Sequence, residues 1–235
     1  MQQITKTASL QHLCQRLSGS VWRASEQAPP PVRTQPSHHS KLDQCLPGGG
    51  WPLGAIIEIL HDGPGCGELS LVAPALALQN TSQPIVLLKP PAIPNALAWH
   101  QWNIPLQRLW WIQPTKQGDL GWCAETVLRS RAFAALLAWM DPIDPPALRR
   151  LQACAQDSST LIFLFRPQSA VTTQSPAALR LSIQPDTTGI ASIRFLKAKG
   201  PRPDQSIPLF LWTAQTNRLD TLDHVDRDTS PALAT

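Results

Sequence analysis

The residues whose types and spacing most suggest chemistry form a glycine-rich loop, HDGPGCG, at His61–Gly67. An apolar run that predicts a buried strand, Ala55–Leu60, precedes the loop, and a helical pattern, Glu68–Gln79, follows it. Nucleotide-binding α/β proteins use a strand, a glycine loop and a helix in this order to present backbone N–H groups to phosphates. The loop therefore has the position of a phosphate site, and its residue types decide whether it has the chemistry.

Those residue types do not match a working phosphate loop, G-x-x-x-x-G-K-[ST]. When Gly67 is taken as the second glycine, Asp62 stands in the place of the first. Glu68 replaces the lysine that contacts the outer phosphates, and Leu69 replaces the hydroxyl that ligates magnesium. We therefore expect no ATPase activity.

Two interpretations of the loop stay open at this level. Gly63 and Gly65 keep the backbone flexible enough to form an anion nest. A tight strand-to-helix turn without any ligand explains the same glycines. His61, Asp62 and Cys66 are the densest group of reactive types, but they lack a third catalytic partner, which favours a role in the loop itself.

Composition excludes several classes of protein. The chain has 235 residues, 43% of them hydrophobic, which suits one α/β domain with extra segments. Its five cysteines are scattered without a CxxC pair, and neighbouring His38 and His39 have no partner ligand, so we expect no metal site and no cofactor. The absence of a long apolar run or signal-peptide core predicts a cytoplasmic protein without membrane contact.

Further along the chain, apolar runs alternate with amphipathic segments. The predicted strands are Ile85–Lys89, Leu109–Gln113, Phe133–Met140, Leu161–Phe165, Leu179–Gln184, Ile190–Lys197 and Ile207–Trp212, and the predicted helices are Asn95–Asn103, Asp119–Arg131 and Pro146–Gln156. Strands that alternate with helices indicate a mostly parallel sheet. Leu179–Gln184 and Ile190–Lys197 alternate apolar and polar residues, as an antiparallel pair does, and Ile207–Trp212 is the last strand. The predicted fold is α/β, with antiparallel C-terminal strands.

The segments outside this alternation predict the domain organisation. Residues 1–24 predict an amphipathic helix, and residues 25–40 are proline-rich and predict a linker. Residues 41–213 form the predicted domain, and residues 214–235 predict a polar, disordered tail.

Two groups of residues are candidates for contact with other molecules. The net charge of +4 permits nucleic-acid contact, and the candidates for weak, sequence-independent DNA contact are Arg166, Arg194, Lys197, Lys199 and Arg202. A solvated strand end and turn explains the same basic residues. The candidates for a hydrophobic partner surface are Trp99, Trp102 and Trp111, for which packing in the core is the alternative.

The segment LDQCLPGGGWPLGAIIEILHDGPGCGELSLV resembles the part of RecA-like proteins that leads into the phosphate loop. More closely it resembles the ImuA family, RecA- and SulA-related proteins of bacterial SOS mutagenesis cassettes. The similar motifs continue through VLRSRAFAALLAWMD, ALRRLQ, FLFRP and SPAALRL, and together they span roughly residues 40–200. In an ungapped register with RecA, the catalytic carboxylate falls on Lys89 and Pro90, and the magnesium-linked aspartate falls on Trp139.

The resemblance implies a RecA-like core with a degenerate Walker A loop and no ATPase activity. It implies an accessory protein of translesion DNA synthesis after DNA damage, with ImuB, RecA or an error-prone polymerase as partners. The alternative is a SulA-type inhibitor of cell division that binds FtsZ, and a weaker alternative is an active RecA-like ATPase.

Overall fold

The structure is a computed structural model that describes residues 33–116, 118–156, 158–186, 188–198 and 203–211. The predicted N-terminal helix and C-terminal tail, and the candidate DNA contacts Lys199 and Arg202, lie outside these ranges. Within them no helix has the length and apolar character needed to cross a bilayer.

The described residues form ten strands and five α-helices. The strands are β1 Thr34–Gln35, β2 Trp51–Pro52, β3 Ile56–His61, β4 Ile85–Leu88, β5 Leu109–Ile112, β6 Ala135–Trp139, β7 Leu161–Pro167, β8 Leu179–Pro185, β9 Ile190–Lys197 and β10 Ile207–Phe210. The helices are α1 Ser40–Asp43, α2 Glu68–Ala77, α3 Ala96–Gln101, α4 Asp119–Ser130 and α5 Pro145–Ala155. Two 3-10 turns, Leu106–Arg108 and Gln168–Thr172, precede β5 and follow β7.

Eight strands form one sheet in the order β10-β9-β8-β3-β7-β6-β4-β5. All neighbouring pairs from β8 to β5 in this order are parallel. Strand β9 pairs antiparallel with both β8 and β10. The predicted α/β class, with a mostly parallel sheet and antiparallel C-terminal strands, is confirmed. Strands β1 and β2 form a separate antiparallel ribbon. This ribbon places residues 34–35, which the sequence assigned to a linker, within the fold.

The sheet is covered on both faces because its central strands are apolar on both sides. On one face, β3, β7 and the C-terminal strands pack with α2 and with Trp99 of α3. On the other face, β4, β6 and β7 pack with α4 and α5. Two helices start where the sequence offers a side-chain cap: Asn95 accepts from the Leu97 N–H at 3.0 Å, and Asp144 accepts from the Ala147 N–H at 2.6 Å.

A buried ionic cluster joins the parallel strands to the antiparallel ones. Glu58 of β3 is fully buried, and its carboxylate lies 2.6 Å from Arg180 Nε of β8 and 3.3 Å from Arg166 Nη1 of β7. Ser175 also donates to this carboxylate at 2.8 Å, and Arg180 donates to the Ala170 carbonyl at 2.8 Å. The cluster therefore fixes the 168–176 segment against the sheet.

We expect Glu58→Gln to lower the free energy of unfolding by about 3–5 kcal/mol, because it removes the counter-charge of the buried Arg180 and leaves the buried Arg166 with only the partly exposed Asp141. Urea titration followed by circular dichroism measures this loss. The matched control is Glu125→Gln, since Glu125 pairs with the largely exposed Arg129 and Arg150 and should contribute at most about 1 kcal/mol. Equal losses for the two variants would contradict a central role for the Glu58 cluster.

Candidate functional site

The glycine loop lies between the carboxyl end of β3 and the first turn of α2. In open, mostly parallel sheets this is the edge at which ligands bind. His61 does not face a ligand there: it is buried, its Nδ1 lies 2.8 Å from the Gly63 carbonyl, and its ring packs edge-on against Phe165. His61 therefore helps to hold the conformation of the loop.

The Glu68 carboxylate turns back into the loop. Its two oxygens accept from the Gly65 N–H at 3.0 and 3.1 Å, and the Cys66 thiol lies 3.4 Å from Oε2. The side chain is only 4% exposed. As the first residue of α2, Glu68 also places a negative charge at the positive end of the helix dipole, which is favourable. The acid at the start of α2 thus supplies the hydrogen-bond acceptor for the Gly65 N–H from within the chain.

Cys66 is held as a neutral thiol by these surroundings. Burial, followed by the charge of Glu68 and its hydrogen bond, raises the pKa of the Cys66 thiol from 9.0 to about 12. A thiol with so high a pKa is a poor nucleophile, because the thiolate is the reactive form. Cys66 is therefore poorly suited to nucleophilic catalysis.

The loop backbone depends on two glycines in the left-handed region. Gly65 has φ +84° and Gly67 has φ +95°. A Cβ on Gly65 would meet nothing within 4 Å, whereas a Cβ on Gly67 would lie 3.2 Å from Leu211 Cδ1. Gly67 therefore allows the loop to pack against the residue that follows β10.

An apolar cleft of about 570 Å³ opens beside the loop. One wall consists of the loop and the start of α2, and the opposite wall consists of the β4–α3 connection and α3. Trp139, the last residue of β6, also lines the cleft and stacks on Phe165 with ring centroids 4.7 Å apart. The sequence offered a signal for this cleft in the proline-rich PPAIP that follows β4, but we did not predict it.

The strand ends beside the loop carry no carboxylate facing the cleft. Pro90, two residues after β4, and Trp139, at the end of β6, line the cleft. Asp141 lies two residues beyond Trp139 and pairs with Arg166 at 3.5 Å. Among the described residues, no group of three or more histidine, cysteine, aspartate or glutamate side chains is arranged to hold a metal ion.

The structure separates the candidate DNA contacts. Arg166 is only 3% exposed and is paired with Glu58 and Asp141, so it is unavailable to a phosphate backbone and the prediction for it is corrected. Arg194 and Lys197 are exposed on β9, and Lys197 Nζ donates to the Ser175 carbonyl at 2.7 Å. Direct DNA contact through these two residues stays a prediction.

The three candidate tryptophans do not form one surface patch. Trp99 is only 2% exposed and meets Trp102 edge-to-face at 5.4 Å, so Trp99 belongs to the core, as the alternative interpretation proposed. Trp99 and Trp102 line the cleft. Trp111 is 49% exposed and lies on β5, the edge strand of the sheet.

No family model and no curated protein matches this sequence. Among solved structures, the chain is similar to the crystal structure of SulA from Pseudomonas aeruginosa, with a TM-score of 0.41 and 16% sequence identity. The match covers 47% of this chain and 97% of the SulA chain. Similarity at this level leaves the function to be argued from the site.

We expect Cys66 to resist alkylation. At about pH 8, a thiol with a pKa of about 12 holds roughly a thousandth of the thiolate of one with a pKa of 9.0. Mass-spectrometric mapping after iodoacetamide treatment should show Cys66 modified far more slowly than the more accessible Cys45 and Cys154. Glu68→Gln should raise the Cys66 rate several-fold by removing the charge, and Glu125→Gln should not. Modification of Cys66 as fast as Cys154 would contradict the described loop.

We expect Gly67→Ala to destabilise the protein by about 1 kcal/mol more than Gly65→Ala. Both changes place alanine in the left-handed region at a cost of about 1–2 kcal/mol, but only the Gly67 variant also crowds Leu211. Urea titration of the two variants measures the difference. Equal losses would show that the loop does not pack against Leu211.

Proposed function

We propose that this chain is a non-catalytic accessory protein of SOS-induced translesion DNA synthesis, built on a RecA-like core with an altered phosphate loop. The observation that supports it most directly is the Glu68 carboxylate bound to the Gly65 N–H within the loop. A protein that fills its own anion site in this way is suited to act by binding other proteins.

The negative charge of Glu68 opposes the binding of a nucleoside triphosphate at this site. At an effective dielectric constant of about 20, a phosphate charge about 4 Å from the Glu68 carboxylate is repelled by about 4 kcal/mol. That energy corresponds to roughly a thousandfold loss of affinity. Leu69 supplies no hydroxyl for magnesium, so the metal that normally neutralises the phosphates lacks its usual ligand as well.

The resemblance to the ImuA family supplies the biological setting for such a protein. It points to ImuB, a relative of Y-family polymerases, and to RecA or an error-prone polymerase as partners. A protein that contacts these partners needs a stable scaffold and an exposed binding surface but no bound nucleotide. Inhibition of cell division through FtsZ is the outcome that would replace this proposal.

Nucleotide titration tests the non-catalytic part of the proposal. In isothermal calorimetry with Mg-ATP, the natural chain should give no saturable heat. Glu68→Lys combined with Leu69→Thr should introduce ATP binding, because these changes restore the phosphate-binding charge and the magnesium ligand. Glu125→Lys is the matched charge-reversal control and should introduce none. Tight ATP binding by the natural chain would contradict the proposal.

Affinity capture from DNA-damaged cells tests the translesion part. The tagged full chain should retain a Y-family polymerase relative, RecA or an error-prone polymerase. A parallel binding assay with purified FtsZ should be negative. Retention of FtsZ without any polymerase component would overturn the proposal in favour of division control.

A further inference from the structure

We propose that the cleft beside the glycine loop binds a short apolar segment of a partner protein that carries a lysine or arginine. This inference rests on the proposed function, which requires a protein partner but does not say where the partner binds. It assigns the cleft at the carboxyl ends of the strands to protein recognition.

The size and lining of the cleft fit a built binding site. Its volume of about 570 Å³ lies within the usual range of roughly 300–1,000 Å³ for ligand pockets. Tryptophan, leucine and proline side chains provide most of its walls, and Asn95 and Gln101 add polar groups near α3. Such a surface suits apolar side chains with a few directed polar contacts.

The rim of the cleft favours a macromolecule over a small molecule. Ile93 is 78% exposed and Leu97 is 72% exposed, and both line the cleft. Large apolar side chains left open to water next to a pocket are typical of interaction sites. A small molecule inside the cleft would leave the outer surfaces of Ile93 and Leu97 exposed to water. A peptide segment that crosses the rim would cover them.

The wall that bears this rim is conformationally restricted before any partner arrives. Three prolines, Pro90, Pro91 and Pro94, limit the backbone of the β4–α3 connection. Asn95 then fixes the start of α3 through its hydrogen bond to the Leu97 N–H. A wall that is already ordered loses less conformational entropy on binding, which favours affinity.

The charge of the cleft selects the partner's chemistry. Glu68 is the only acidic or basic residue among the described residues that line the cleft. A phosphate or an acidic peptide would therefore meet a carboxylate with no cation in the lining to compensate. A lysine or arginine that enters the cleft would approach the negative charge of Glu68, which is only 4% exposed, and the side chains of Trp102 and Trp139. Indole rings attract cations.

The test selects peptides from a phage-displayed library of random dodecapeptides on the full chain. Selected sequences should be apolar with a basic residue. A synthetic peptide from the selection should bind the rim variant, Ile93→Ser with Leu97→Ser, at least about tenfold more weakly than the natural chain. The matched control, Leu78→Ser with Phe210→Ser, alters two other exposed apolar residues and should leave the affinity unchanged. Thermal unfolding should confirm that both double variants fold.

The charge requirement has its own test with the same peptide. Glu68→Gln should weaken binding several-fold, and replacing the basic residue of the peptide by methionine should abolish that dependence. Selection of acidic peptides, failure to select any peptide, or equal binding to the rim variant would overturn the proposal. Self-association that the rim variant abolishes would assign the cleft to a second copy, and a co-purified small molecule lost in the rim variant would assign it to that molecule.

Capture from damaged cells separates this inference from the proposed function. If the rim variant retains the polymerase components as well as the natural chain does, the cleft assignment fails and the proposed function stands. If the natural chain retains none of them but binds the selected peptides in the cleft, the proposed function fails and the cleft assignment stands.

Discussion

The conformation of the glycine loop depends on the contact between the Glu68 carboxylate and the Gly65 N–H. In a nucleotide-binding loop the backbone N–H groups wait for a phosphate, and the loop is completed by its ligand. Here the first residue of α2 supplies the negative charge, and it does so from within the same turn of chain. Because Glu68 belongs to the chain itself, the Gly65 N–H has a hydrogen-bond acceptor without any ligand, and we expect a phosphate to compete with this acceptor.

The sheet places this loop and the cleft on the same edge. Strands β3, β7, β6 and β4 are neighbours in this order, and each pair is parallel. Their carboxyl ends, and the segments that follow them, therefore lie at the same edge of the sheet. The buried Glu58 cluster ties the antiparallel strands to this core, and Gly67 packs against the chain just beyond β10. The Glu58 cluster and the packing of Gly67 thus both hold the C-terminal strands against the parallel sheet and the loop. The cleft between the loop and α3 stays open.

Much of this architecture was predictable from the sequence, because strand and helix periodicity and the capping residues are local properties. Strands β3 to β10 and helices α2 to α5 start and end within a few residues of their predicted bounds. Contacts between residues distant in sequence were not predictable. Arg166 was expected at a DNA surface, but sheet register places it against Glu58, 108 residues away. The sequence predicts that Glu68 repels phosphate. It does not predict the hydrogen bond from the Gly65 N–H to Glu68, because that contact depends on the left-handed conformation of Gly65 and Gly67.

The central claim is that the chain's own carboxylate occupies the anion position of the loop. The most direct measurement follows the Gly65 amide resonance in a ¹⁵N–¹H NMR spectrum during titration with inorganic triphosphate at constant ionic strength. We expect added triphosphate to leave the Gly65 resonance in place in the natural chain. In the Glu68→Gln variant, the same titration should shift this resonance strongly. A saturable shift of the Gly65 amide resonance in the natural chain, at triphosphate concentrations that saturate ordinary nucleotide-binding loops, would contradict this claim.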